Sequence, residues 1–287
     1  AENYGAIKNV SVDGDIISNT CYTAGAIAIN KGETADSTGT ANTIITSGMV
    51  YGKHNSGGVI GLNERYANAN TLGNSATVIA LSNSAGIIGV AFTTNEYKNM
   101  YNTGKIINTT TNKIAGVMTI DDSDSGTLKL SNSYSIGKLD LYITDNTYIF
   151  GDLVSAENAN IILTNCNVVE DITGANVTNQ IAYTKGTVTQ TNVIISSLAT
   201  LQNISSSFNI NNDWDYVNVW SVYADTNDGL PVFKQFNDYI IKLPVGETFT
   251  IISSTDLTGD TYKKYFTYSS LGEQNIVVGT NYIIDID

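Results

Sequence analysis

Residues 56–62 read SGGVIGL and residues 84–90 read SAGIIGV. Both open on two small residues and a glycine, continue with two apolar residues, and place a glycine before a last apolar one. TAGAIAI at 23–29 and IAGVMTI at 114–120 extend the series. The four copies share a glycine at their third position, Gly25, Gly58, Gly86 and Gly116, at offsets of 33, 28 and 30. IFGDLVS at 149–155 reads as a fifth copy with Gly151 in register. Self-similarity at a loose period of 20–50 residues is the mark of stacked repeats.

A second element lies between the glycine copies. KNVSVDGDI (8–16), ANTIITSGMV (41–50), KNMYNTGKI (98–106), SNSYSIGKL (131–139) and TNCNVVEDI (164–172) each pair an Asn with an alternating apolar stretch. The Asn falls at 9, 42, 99, 132 and 165, and Asn74 reads as a sixth. Short alternating segments bury one face, and Gly, Asn and Asp between them turn the chain. No apolar i, i+3, i+4, i+7 pattern is sustained. A lone repeat of this length cannot bury its apolar face, whereas stacked repeats can. The pattern predicts an all-β fold, a right-handed parallel β-helix with Asn residues laddering from coil to coil. A β-sandwich would call for Asn-Gly hairpin turns, and the chain has no such dipeptide.

The solenoid is expected over 1–190, an aromatic C-terminal cap over 191–237, and a small β-module or the start of a further domain over 238–287. Trp214, Trp220, Tyr216, Phe233 and Phe236 fall in the cap. A solenoid's last coil has an apolar end to cover, so these rings are expected there. Strand candidates in the last part are 239–243, 248–252, 262–268, 275–278 and 281–286.

The composition excludes several partners. With 27 acids against 14 bases the net charge is −13, so nucleic acid and anionic membrane surfaces are repelled. No apolar run reaches the roughly 18–20 residues of a membrane span, and AENYGA at the start shows no signal-peptide pattern. Cys21 and Cys166 lie about five rungs apart, on the order of 24 Å at roughly 4.8 Å per rung, too far for a disulfide. Both are expected free and buried.

These stretches resemble GLUG-motif repeats of large bacterial surface proteins, through GGVIGLN (57–63), AGIIGVAF (85–92), NMYNTGKI and NSYSIGKL. The closing stretch SLATLQNISSSFNINNDWDYVNVWSVYADTNDGLPVFKQF resembles the end of such repeat blocks. The resemblance implies a right-handed β-solenoid in a secreted or cell-surface adhesin, with no catalytic residues. A further resemblance, to the β-helical binding domains of cellulose-attaching tāpirins, implies carbohydrate binding.

Parallel β-helices also host polysaccharide lyases and glycoside hydrolases, so a carbohydrate-active enzyme is the rival reading. Such chemistry wants clustered acids with His or Arg, and this chain has one His and one Arg. His54 reads as a loop residue and Arg65 as a solvated loop charge. Asp213 and Asp215 flank Trp214 and read as a turn around a buried ring, with paired acid–base work as the sharper alternative. In DDSDSG (121–126), Asp122 and Asp124 have the alternating oxygens of a calcium loop, but the bidentate acid of an EF-hand would fall on Ser133. No cofactor is expected; calcium at Asp122 and Asp124 is the one metal reading available.

Tyrosine is abundant, 17 against 7 Phe and 2 Trp. Tyr101 and Tyr134 occupy equivalent repeat positions and are expected on one face of nearby coils. Exposed rings on a flat face can stack on sugars, while Tyr is also an ordinary strand residue. Tyr97, Tyr101 and Tyr134 are the candidate ligand contacts. The function expected is a non-catalytic, extracellular attachment domain, monomeric, with a polysaccharide or a host-surface glycan or protein as partner.

Overall fold

The computed structural model describes every residue except 1, 35–36, 111–112, 142–149, 171–180, 204–207, 209–213, 217, 223–226, 238–239, 244–248, 252–262, 269–271, 277–282 and 287. It forms two compact units, Ala1–Phe233 and Lys234–Asp287. The first is a parallel β-solenoid of about six turns. Its stacked strands form sheets of twelve, seven and five members among the described residues.

A full coil has four strand segments, the first and second running on as one strand in the first two coils, Ala6–Ile17 and Thr40–Gly52. In the third coil they are Asn68–Asn74, Thr77–Ala80, Ser84–Ala85 and Ile88–Ala91. The first and fourth segments enclose a large core that includes Ile27, Ile44, Ile60, Leu72, Ile88, Met100 and Met118. The second and third enclose a small one of Val50, Ala76, Val78, Ile106, Ile114 and Leu139. Each fully buried Leu, Ile or Met side chain contributes roughly 1.5–3 kcal/mol, and the stack repeats that gain at every turn.

Between the two cores the coil narrows to a waist, and the repeated glycines stand there. Gly25, Gly58, Gly86 and Gly116 stack in one column, as the repeat predicts. A Cβ on Gly58 would collide with the Gly86 carbonyl oxygen and the Asn74 carboxamide; one on Gly86 would collide with the Gly116 carbonyl oxygen and the Asn102 carboxamide. Opposite the glycines runs an internal polar ladder. Thr46 Oγ1 donates to Asn74 Oδ1 at 2.9 Å, Asn74 Nδ2 to Asn102 Oδ1 at 2.9 Å, and Asn102 Nδ2 to Ser135 Oγ at 3.4 Å. Each Asn amide also bonds the corner two residues on, Asn74 Nδ2 to the Ala76 carbonyl and Asn102 Nδ2 to the Gly104 carbonyl. Buried amides are tolerated because their donors and acceptors are used.

The fifth glycine copy slips by one. Ala115 pairs with Gly151 and Met118 with Val154, so Asp152, not Gly151, falls in the glycine column. Register follows the inward apolar residues, and aligning Leu153 and Val154 with Val117 and Met118 forces the shift.

The expected Asn ladder is three ladders. Asn9, Thr43, Thr71, Asn99, Asn132, Asn165 and Asn192 form a corner column with φ between 49 and 62°. Asn165 Nδ2 donates to Asn132 Oδ1 and Asn192 Nδ2 to Asn165 Oδ1, each at 3.1 Å. Asn tolerates the left-handed region better than other side chains, so Asn9, Asn99, Asn132 and Asn165 stand where the repeat predicts. Asn42 does not; Thr43 takes the corner. Asn74 belongs to the waist. The third ladder runs inside the large core: Asn3 Nδ2 donates to Asn30 Oδ1 at 2.8 Å, and Asn30 Nδ2 to Asn63 Oδ1 at 2.7 Å.

The solenoid strands continue past 190, through Ile194–Ser196. The aromatic segment then packs on the flank of the stack and not over its end, because Phe208, Trp220 and Phe233 lie against Tyr134 and Tyr101 in mid-stack. Trp214, Trp220 and Phe233 are buried, as expected. Cys166 is free and buried, but Cys21, on a strand of the first coil, is free and exposed. In the second unit Ile240–Leu243 pairs in parallel with Ile283–Ile286, and Phe249–Ile251, Lys263–Tyr268 and Gly272–Ile276 form an antiparallel sheet. Among the described residues no helix is long and apolar enough to cross a membrane.

Candidate functional surfaces

The three candidate tyrosines are not an exposed platform. Tyr97 is 1%, Tyr101 8% and Tyr134 0% exposed. Tyr97 ends the inner Asn ladder: Asn63 Nδ2 donates to its hydroxyl at 3.1 Å, and the hydroxyl donates to the Phe92 carbonyl at 3.0 Å. Tyr101 and Tyr134 do lie on one face of successive coils, with rings stacked at 5.6 Å and 13°. Phe233 meets Tyr101 edge-on at 4.9 Å, and Phe208 meets Tyr134 edge-on at 5.4 Å. The Tyr134 hydroxyl donates to the Pro231 carbonyl and accepts from Asn227 Nδ2. Burial pushes all three phenols up from their ordinary range. Tyr97 is buried because it points into the large core; for Tyr101 and Tyr134 the physical reason is the flank segment. Rings that periodicity places outward on the sheet are covered by residues from about a hundred positions later.

Asp122 and Asp124 are also placed apart in role. Asp124 is buried, and its carboxylate accepts from Thr93 N at 2.7 Å, Thr93 Oγ1 at 2.7 Å and Gly126 N at 3.2 Å. Burial opposes its charge, but these bonds and Arg65 outweigh it and hold the carboxyl below its usual value. The carboxylate closes the 92–94 turn of the preceding coil. Asp122 is paired with the buried Lys113. Among the described residues no three His, Cys, Asp or Glu side chains gather as metal ligands.

Of the other candidates, Arg65 stands over the Phe92 ring at 5.1 Å, a cation–π contact between neighbouring coils. Asp215 accepts from the Asn218 backbone and amide, which makes it a turn residue beside buried Trp214; Asp213 lies outside the described residues. His54 is the register partner of Cys21 on the adjacent strand. The register that sets them side by side was not legible from two positions 33 residues apart.

Sequence reasoning also missed an outward apolar column, partly exposed. Ile17 pairs with Tyr51, Tyr51 with Ile79, and Ile79 with Ile107. All four project outward from the second segments, where their neighbours Val50, Val78 and Ile106 point into the small core. Ile17 is 70% and Tyr51 36% exposed, and Leu81 beside Ile79 is 36% exposed. At roughly 4.8 Å per rung the column is about 15 Å long. Lys105 and Asp140, joined in an ion pair, stand at its far end.

Parallel sheets, a glycine waist and internal polar ladders define a β-solenoid protein. No protein-family model matches the chain, and no curated protein matches it. A solved structure from Bacteroides ovatus, named a "putative immunoglobulin A1 protease", aligns with 80% of this chain and 75% of that chain, with a TM-score of 0.53 and 19% identity. At that identity the likeness is one of fold.

Proposed function

We propose that this chain is the β-solenoid part of an extracellular, GLUG-like bacterial surface protein: a monomeric, non-catalytic attachment domain for an insoluble polysaccharide or a surface glycan. The observation that supports this reading is the outward apolar column Ile17–Tyr51–Ile79–Ile107, exposed at Ile17 and Tyr51 and half-buried at Ile79 and Ile107. Single exposed apolar residues are ordinary, but a contiguous apolar patch marks an interaction surface. A rigid sheet presents it with little ordering entropy left to lose on binding. The net charge of −13 suits a neutral ligand better than an anionic one.

The test is retention on microcrystalline cellulose and a panel of other insoluble glycans at about 0.05 and 1 M salt. Apolar contact is not screened, so binding persists in high salt and falls in Ile17→Ser and Ile107→Ser. Retention lost in high salt and unchanged in both variants would overturn the reading in favour of a basic protein partner.

One observation favours a catalytic reading, the register pairing of Cys21 with His54. A thiol becomes a nucleophile when a base takes its proton, and the Bacteroides ovatus protein carries a protease name. Incubation with immunoglobulin A1 and with soluble polysaccharides decides between the two. Cleavage by the wild type that Cys21→Ala abolishes would replace attachment with hydrolysis.

A further inference from the structure

Asp152 occupies the waist column where the four preceding coils place glycine. It is 0% exposed, and among the described residues neither carboxylate oxygen has a hydrogen-bond partner. The opposite side of the waist changes with it. Gly58 and Gly86 face the amides of Asn74 and Asn102, and Gly116 faces Ser135. Ser135 pairs with Val168 in the next coil, so the repeat sets Asp152 against Val168. The polar group has crossed from one wall of the waist to the other and lost its ladder partners in doing so. A glycine fits this position sterically in the four preceding coils, and any small apolar residue would match Val168. A buried carboxyl is the costliest choice unless its proton matters.

We propose that Asp152 is a proton-dependent latch: as the neutral acid it sits within the packed waist, and as the carboxylate it loosens the coil formed by residues 150–155. The neutral acid can donate one hydrogen bond inside the waist, whereas the carboxylate can only accept. Among the described residues its neighbours offer it no compensating charge. On the packed elements Lys129 is paired with Glu96, Lys113 with Asp122, and Lys185 with Glu157. Tyr134 lies under the aromatic cover, Tyr183 is half-buried, and burial pushes the free Cys166 thiol up to about 12.

Burial alone raises the Asp152 carboxyl from 3.8 to about 7. The folded chain therefore holds this proton across a window in which the unfolded chain has released it. Stability contributed by the latch is full below about pH 4 and falls as pH rises to about 7, because the folded state binds more protons there.

The experiment is hydrogen exchange at residues 150–155 and 114–118 between pH 5 and 8, corrected for intrinsic exchange chemistry, with 13C NMR of the Asp152 carboxyl as a direct readout of its proton. In the wild type local opening rises at least tenfold across this range, and the carboxyl titrates near neutrality. Asp152→Asn keeps the shape without the charge and shows a flat profile. Asp152→Gly restores the column residue and serves as the second variant if the first does not fold. A carboxyl that titrates near 4, or variants whose pH profile matches the wild type, would overturn the proposal.

Discussion

Two outward columns of the same twelve-stranded sheet carry apolar side chains to different ends. On the first segments, Gly73, Tyr101 and Tyr134 stand in line. They are roofed by Phe208, Trp214, Trp220 and Phe233, and everything there is buried. On the second segments, Ile17, Tyr51, Ile79 and Ile107 stand in line, and Ile17 and Tyr51 are exposed. The rungs, the spacing and the alternation are the same. What differs is a stretch of chain that returns along one flank. An apolar residue pointing outward from a solenoid is therefore either a seat for a cover or a contact for something else, and local pattern does not distinguish them.

The roof is where this contrast is easiest to break. Trp220 is wholly buried and touches Tyr101, Tyr134, Trp214 and Phe233. Trp220→Ala is expected to destabilise the first unit by about 3–5 kcal/mol through lost burial and an unfilled cavity, read by thermal or urea melting. It should also expose Tyr101 and Tyr134, visible as quenching of tyrosine fluorescence by acrylamide. A melt unchanged by the substitution would mean that the flank segment leaves the sheet bare in solution.

Gly73 makes room for the roofed column. A Cβ there would strike the Tyr101 ring. Gly73→Ala is expected to cost about 1–3 kcal/mol, as overpacking does, because the stacked pair and Phe233 leave the ring nowhere to turn. The same substitution in a Tyr101→Leu background should cost less, and additive effects would show that the ring is not the obstacle. Tyr134→Phe isolates the polar tie. It leaves the buried Pro231 carbonyl without its donor and should cost about 1–2 kcal/mol, with ring stacking intact.

The glycine column was legible because the waist admits no Cβ, and that constraint repeats wherever the next coil's carbonyl passes this close. It ceased to be legible at Gly151, where the motif kept its glycine but the apolar residues after it set another register. The corner Asn residues were legible for the same local reason, a left-handed φ. Thr43 and Thr71 hid two members of that column, since β-branched residues in this conformation cost on the order of 1–3 kcal/mol and are rare. Asn74 and Asn99 look alike in sequence, yet one bonds inside the waist and the other turns a corner. The burial of Tyr101 and Tyr134 depended on Trp220 and Phe233, and no periodicity reaches that far. The exposed column was written plainly as outward positions in alternating strands, but without the register its four members could not be seen to touch.

The smallest expected change in stability is also the one that separates the columns most sharply. Tyr51 lies between Ile17 and Ile79 on the bare face and is 36% exposed. Replacing it with Ser removes partly exposed apolar surface and leaves the backbone ladder intact. Surface changes of this kind stay within about 0.5 kcal/mol, so the melting curve of Tyr51→Ser should overlay that of the wild type. The same replacement at Tyr134 should approach the cost of Trp220→Ala, because the roof would collapse onto a void. If Tyr51→Ser instead costs more than about 1.5 kcal/mol, the second column is covered in solution as the first is, and it is a structural seam. If stability holds while retention on an insoluble glycan drops, the column belongs to the exterior, and the solenoid's two apolar lines have divided the work: one fastens the chain to itself, the other fastens it to its surroundings.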